Sequence, residues 1–247
     1  GIPKSWLKLK PEKSQSIIVG HSRLLRTIII PNLSPIKIYG TEIPFSESVN
    51  NLGIYMDKSL NWNIQVAETC KKVFSLIHSF RRLKNFLPFS MKKMLVQTLV
   101  MPHFDYCDIL LTDLSVTSAQ RLQRVHNVCI RFICNTRKFD HITPSLQLLS
   151  WVRLKERRTI HSLSLLFRIM HTSTPNYLLS RFQFLTTLRN RHQALLSIPH
   201  HRTSLYSSSY TVEIPRLWNS LPNDVRDCRT LSQFKIKLEN FVLFNDF

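Results

Sequence analysis

The sequence predicts an α+β fold that is mainly α: a short N-terminal β segment, then a helical body and a C-terminal helical region. Three observations predict it. The first sixty residues hold short β-branched runs punctuated by Pro and Gly. From about Asn63 apolar residues recur at helical spacing, and that spacing returns down to the C-terminus. At 247 residues and 43% hydrophobic, the chain can also bury a core, which a disordered basic tail cannot.

Residues 16–19 (Ser-Ile-Ile-Val) and 27–30 (Thr-Ile-Ile-Ile) read as strands, and residues 35–39 alternate apolar and polar with period two. Val66, Cys70, Val73, Phe74, Ile77 and Phe80 then form the stripe of a helix ending near Leu83, with Arg81, Arg82 and Lys84 suited to its C-terminal dipole. Ser90 caps a second helix carrying Met94, Leu95, Thr98 and Leu99, which Pro102 stops. A third helix starts after Thr117 or Ser118 and runs to Cys134, with Leu122, Val125, Cys129, Phe132 and Ile133 toward the core. Residues 151–172 form a fourth, with Ile160, Leu163, Leu166, Phe167 and Met170 inward. A shorter helix covers 176–185, residues 189–210 read as loop or weak hairpin, and 231–244 close the chain through Phe234, Ile236, Leu238, Phe241 and Val242.

Net charge is +19, from 34 Lys+Arg against 15 Asp+Glu. It is spread along the chain, at +4 over residues 1–60, +7 over 61–140 and +8 over 141–247. Such an excess self-repels unless a polyanion shares it, and nucleic acid is the first candidate, ahead of an anionic membrane surface. With 4 Gly and no GxGxxG or GxxxxGK[ST], a glycine-rich phosphate cradle is excluded. No apolar run approaches the roughly 18–20 residues of a membrane span, and residues 1–10 lack the apolar stretch of a signal peptide. The five cysteines are odd in number and scattered, which fits free thiols in a reducing compartment.

Several segments occur together in a recognisable order. They are Trp6-Leu7-Lys8-Leu9-Lys10-Pro11-Glu12-Lys13-Ser14; Asn51-Leu52-Gly53-Ile54-Tyr55-Met56-Asp57 with Leu60-Asn61-Trp62; and residues 83–88 with Pro102-His103-Phe104-Asp105-Tyr106-Cys107. Leu122-Gln123-Arg124-Val125-His126-Asn127 follows, then Arg202-Thr203-Ser204, then Arg216-Leu217-Trp218-Asn219-Ser220-Leu221-Pro222 and Phe234-Lys235. The set resembles the rear part of a non-LTR (LINE-type, jockey-like) retrotransposon reverse transcriptase. The resemblance implies a palm remnant over 1–62, a helical thumb-like domain over 63–140 and a C-terminal, mainly helical region over 141–247.

The same resemblance implies an RNA-directed DNA polymerase whose catalytic aspartates hold Mg²⁺. This sequence has no Asp-Asp dipeptide, and the family's motif would lie upstream of Gly1. The expectation is therefore a non-catalytic fragment that needs no cofactor of its own and binds the backbone of RNA or an RNA/DNA duplex. Its other implied partner is the N-terminal reverse transcriptase portion, and its implied location is the nucleus or cytoplasm. Lys13 falls where the family places a lysine beside the leaving pyrophosphate, although without the aspartates it reads as a solvated turn residue.

Candidate phosphate contacts are Lys71 and Lys72, Arg81, Arg82 and Lys84, and Lys92 and Lys93. Arg121, Arg124 and Arg131 stack on one helix face, and Arg153, Arg157 and Arg158, with Lys155, open the fourth helix beside Trp151. Cations at a helix start oppose its dipole, which points to an external anion there. His200, His201, Arg202 and Tyr206 combine cations with rings, as single-stranded nucleic acid requires. Asp105 and Asp108, three apart, suggest a metal pair or, more simply, a cap or hydrogen bond by Asp105. His126, Cys129, Cys134 and His141 have zinc-like spacing, but Cys129 lies on the apolar stripe, so the core reading is preferred; Trp218 likewise reads as a core anchor. An interaction module built on unpartnered strand edges is the alternative to nucleic-acid binding.

Overall fold

Between residues 36 and 57 the chain folds into two antiparallel hairpins: β1 (Ile36–Ile38) with β2 (Thr41–Ile43), and β3 (Ser48–Asn51) with β4 (Ile54–Asp57). Each turn has two central residues at positive φ, Tyr39-Gly40 and Leu52-Gly53. That is the primed turn whose twist matches paired strands, and it explains a Gly at the second position. Lys37 faces Glu42 across the first hairpin at 3.0 Å. After β4, Asp57 Oδ1 accepts from the Ser59 and Asn61 amides, turning the chain toward α1 (Asn63–Arg81). Gln65 Oε1 accepts from the Tyr55 amide and ties the first turn of α1 to β4.

This computed structural model describes residues 10–20, 25, 27, 33–185 and 195–244, and it is α+β, mainly α. It divides into two compact units, 1–68 and 69–247, with the division falling inside α1. In the first unit, residues 16–19 do not form a strand; only Ser16 makes a bridge, to Phe45. Of the strand expected at 27–30, Thr27 is helical and 28–30 lie outside the described residues.

In the second unit, α2 (Phe89–Leu95) does not stop at Pro102. A π-turn over Val96–Val100 leads directly into α3 (Met101–Asp105), with Pro102 in its first turn. There the missing proline N–H is harmless, and the wider turn before it makes room for the ring. Cys107 then adopts a left-handed conformation (φ 54°) and a 3-10 segment, Asp108–Asp113, follows. α4 (Val116–Cys134) is capped by Ser115 Oγ, which accepts from the Ser118 amide, and it buries Leu122, Val125, Cys129, Phe132 and Ile133 as the spacing predicts.

The expected helix at 151–172 forms as α6 (Leu154–Thr172), preceded by a helix the spacing did not single out, α5 (Thr143–Leu149), and a reversal. Ser150 in the left-handed region, with amides of Ser150 and Trp151 bonding back to Gln147 and Leu146, terminates α5 and sets the position of Trp151. Only α7 (Asn176–Leu179) forms in the 176–185 segment, because Phe184 pairs with Leu196 instead. Residues 186–194, which include the start of the loop expected at 189–210, lie outside the described residues, and Ser204–Ser207 form α8.

α9 (Tyr210–Ser220) tolerates Pro215 in its interior, and a short α10 (Asn223–Arg226) leads to α11 (Leu231–Phe244). Leu163, Leu166 and Phe167 of α6 pack with Trp218, Phe234 and Leu238 into one core. The Phe167 and Phe234 rings stack at 4.4 Å, and Trp218 lies 5.8 Å from Phe234. Trp218 is thus a core anchor. Ile236, expected inward, is 62% exposed, since the core stripe of α11 runs through 234, 238 and 242. All five cysteines are free thiols.

Candidate nucleic-acid interface

The predicted cations divide into an outward and an inward set. Lys71, Lys72, Arg81, Arg82, Arg121, Arg124 and Arg153 are exposed, Lys84 is half-buried, and none of them ion-pairs with any described residue. The Arg121 guanidinium lies beside the Cys70 thiol, whose pKa burial raises. Phe80 meets Phe132 at 6.1 Å. These contacts put Lys71, Lys72 and Arg81 on a helix adjoining that of Arg121 and Arg124. Exposed apolar side chains interleave with them, above all Phe86 at 83% exposure. Lys13 is exposed in a 3-10 turn, Pro11–Lys13, and Trp6 lies outside the described residues.

The inward set corrects the sequence reading. Lys92 is 3% exposed; its Nζ donates to Asn135 Oδ1 at 3.0 Å and sits over the Phe132 ring, so it binds the C-terminus of α4 rather than phosphate. Lys93 is half-buried and reaches the Leu149 carbonyl at 3.5 Å, which occupies one of its three donors. Arg131 donates to the carbonyls of Arg137 and Asp140, closing the loop after α4. Arg157 holds both oxygens of Asp105, through Nε at 2.5 Å and Nη2 at 2.7 Å. Arg158 has a buried Nε without a partner among the described residues, and burial lowers its pKa. The anion expected at the start of α6 is therefore largely internal. Glu156 also accepts from the Arg153 amide there, as a helix-capping acid does.

One rung along, His161 Nδ1 meets Asp108 Oδ2 at 2.7 Å. Asp105, Asp108 and His161 thus bring three ligand atoms within 4.8 Å of one another. The group does not fit a divalent cation, because the Arg157 guanidinium occupies both Asp105 oxygens and would repel it. Asp105 acts by hydrogen bonding, and α3 and the 3-10 segment after it are joined to α6 by a two-rung ladder, Asp105 to Arg157 and Asp108 to His161. Its signal was legible in principle: acids three apart face a cation and a His four apart.

Behind the ladder, His126 is fully buried between Phe104 and Trp151, parallel to the indole at 5.9 Å. Gln123 Nε2 donates to Asn127 Oδ1 at 2.8 Å and to His126 Nδ1 at 3.3 Å. That assigns the ring proton to Nε2, which has no partner among the described residues. Burial, seconded by the Arg157 charge, drops its pKa to about 4. Cys129 donates to the Val125 carbonyl, and burial pushes its thiol up to about 12. With His141 exposed, the zinc-like set does not converge. His201 Nε2 faces Arg216 at 2.8 Å, which leaves the exposed His200, Arg202 and Tyr206 of that cluster.

Arg168 and Lys235 are among the exposed cations that the sequence did not single out as phosphate contacts. Arg168 shares a stripe of α6 with Arg157, His161 and Ser164, at spacings of four, three and four residues, and that polar periodicity is the signal that finds it. Among the described residues no helix is long and apolar enough to cross a membrane. Compared with protein-family models, with curated proteins and with solved structures, the chain matches none of them.

Proposed function

We propose that this chain binds the sugar–phosphate backbone of an RNA/DNA duplex or of RNA, as the thumb and C-terminal region of a non-LTR retrotransposon reverse transcriptase would. One observation carries the reading. Lys71, Lys72 and Arg81 and, on the adjoining helix, Arg121 and Arg124 are exposed without an acidic partner among the described residues. A merely solvated cationic face normally carries Glu or Asp at three- or four-residue spacing; for these five cations only Glu68 stands so, before Lys71 and Lys72, and it ion-pairs with neither. Long cations on rigid helices position phosphates without reading base sequence. The ordered motifs from Trp6 to Lys235 support the family reading, and within that reading a sequence with no Asp-Asp dipeptide has a binding role rather than nucleotidyl transfer. Nucleus or cytoplasm follows from the same reading.

Fluorescence anisotropy of a labelled RNA/DNA hybrid, titrated across salt, tests it. If five or six phosphates are neutralised, log K falls against log salt with a slope of about −5. A flat plot would discard the proposal. The exposed apolar residues Leu83, Phe86, Phe89 and Met94 favour the second reading, a protein-interaction module. A concentration-dependent oligomer with no affinity for the hybrid would select it.

A further inference from the structure

The second unit contains a cleft of about 540 Å³ whose walls are α2 and its π-turn, the α5–α6 reversal, α6 and α11. That volume lies within the range of about 300–1,000 Å³ typical of small-molecule sites. Four cations line it, Lys93, Arg157, Arg168 and Lys235, against one acid, Glu239. Arg157 uses Nε and Nη2 on Asp105, which fixes the guanidinium and leaves Nη1 outside the pair. Arg168 and Lys235 are exposed and ion-pair with no described residue. Two further lining residues are of a different kind. Ser164 has a buried Oγ with no partner among the described residues, an arrangement that costs stability unless it is used. Trp151 presents an indole held flat by its parallel stack on His126.

We propose that this cleft binds a nucleotide through its phosphate, with Lys93, Arg168 and Lys235 holding the phosphate and Trp151 stacking on the base. The ligand is either a free nucleoside 5′-phosphate or the 5′-phosphate end of a strand, which share this chemistry. Arginine and lysine supply charge-assisted donors to phosphate, and an indole face accepts any base. The cleft is separate from the cations of α1 and α4, so it stands or falls independently of duplex binding.

Calorimetric titration of the full chain with adenosine 5′-monophosphate and with inorganic phosphate tests the assignment. The expected result is AMP binding at least fivefold tighter than phosphate, weakened tenfold or more in Arg168→Glu and Lys235→Glu. Circular dichroism checks that these exposed variants fold, and Arg124→Glu serves as the control, leaving AMP affinity within twofold while weakening the hybrid. Competition by a 5′-phosphorylated ten-nucleotide strand, but not its 5′-hydroxyl twin, assigns the strand end. Competition by neither assigns the free nucleotide. The proposal is overturned if AMP fails to bind at millimolar concentration, if it binds no better than phosphate, or if Arg168→Glu and Lys235→Glu bind it as the parent does.

Discussion

His126 makes the stability of the second unit depend on pH in a calculable way. The ring is fully buried and neutral, with a pKa lowered to about 4 by burial, whereas in the unfolded chain it titrates near 6.5. Above pH 6.5 both states are neutral and the group contributes no pH dependence. As pH falls below 6.5 the unfolded state takes up a proton that the folded state refuses, so stability is lost down to about pH 4 and then levels off. The whole window is worth about 3 kcal/mol, of which about 2 kcal/mol is lost between pH 7.5 and pH 5. Replacing the ring by His126→Leu removes that slope and also the unpartnered Nε2, so the variant should match the parent within about 1 kcal/mol at pH 7.5. Urea unfolding followed by circular dichroism at pH 7.5, 6.5, 5.5 and 5 measures both chains. The discriminating quantity is the difference between them, because carboxylates titrate alike in each. Parallel stability curves would mean that His126 is protonated in the folded state, and the assignment of a dry, neutral ring would fall.

Other substitutions separate the two sets of cations. Lys92→Met should leave hybrid affinity within twofold while lowering the urea midpoint, since its ammonium bonds Asn135 inside the protein; Lys72→Met should do the reverse. Arg124→Glu should weaken the hybrid about tenfold and make the salt slope shallower by about 1, read by anisotropy. Asp105→Asn leaves the Arg157 guanidinium half-matched; with side chains 34% and 27% exposed, water screens the loss to about 1–2 kcal/mol in chemical denaturation. Phe234→Ala opens the core between Phe167 and Trp218 and should cost about 3–5 kcal/mol.

What the sequence made legible was local. The stripes of α1, α4, α6 and α11 are set by 3.6-residue spacing, and their core residues sit as that spacing demands apart from Phe74 and Ile236, both exposed. Residues whose role depends on a distant partner were not legible. Lys92 looks like any cation opening a helix until Asn135, 43 residues on, supplies an acceptor. Arg157 reads as a phosphate ligand until Asp105, 52 residues back, accepts from its Nε and Nη2. Pro102 and Pro215 were opaque for another reason. A proline announces a break, yet a π-turn before Pro102 and tertiary burial of Pro215 let the helices continue. The division of the candidate site into outward and inward cations is thus a tertiary fact, invisible to any window of sequence.

That division also changes the meaning of the charge. Five of the ten acids of the second unit are committed: Asp105 to Arg157, Asp108 to His161, Asp140 to the Arg137 amide, Glu156 to the start of α6, and Glu213 to Arg216. None of the others ion-pairs with Lys71, Lys72, Arg81, Arg121 or Arg124 among the described residues, so these charges stand unneutralised on the surface. Exposed like charges on neighbouring helices repel at low salt and stabilise nothing in the free protein. Their removal should therefore leave folding intact or slightly improved, while removal of Arg157 or Asp105 should weaken it. A surface that is electrostatically unfavourable for the isolated chain becomes favourable only when an anion of matching extent lies across it, and a phosphate backbone has that extent. Raising salt should accordingly raise the thermal midpoint of the free protein and lower its affinity for the hybrid. Opposite signs in those two measurements, on one sample, follow from a single cause, and equal signs would refute it.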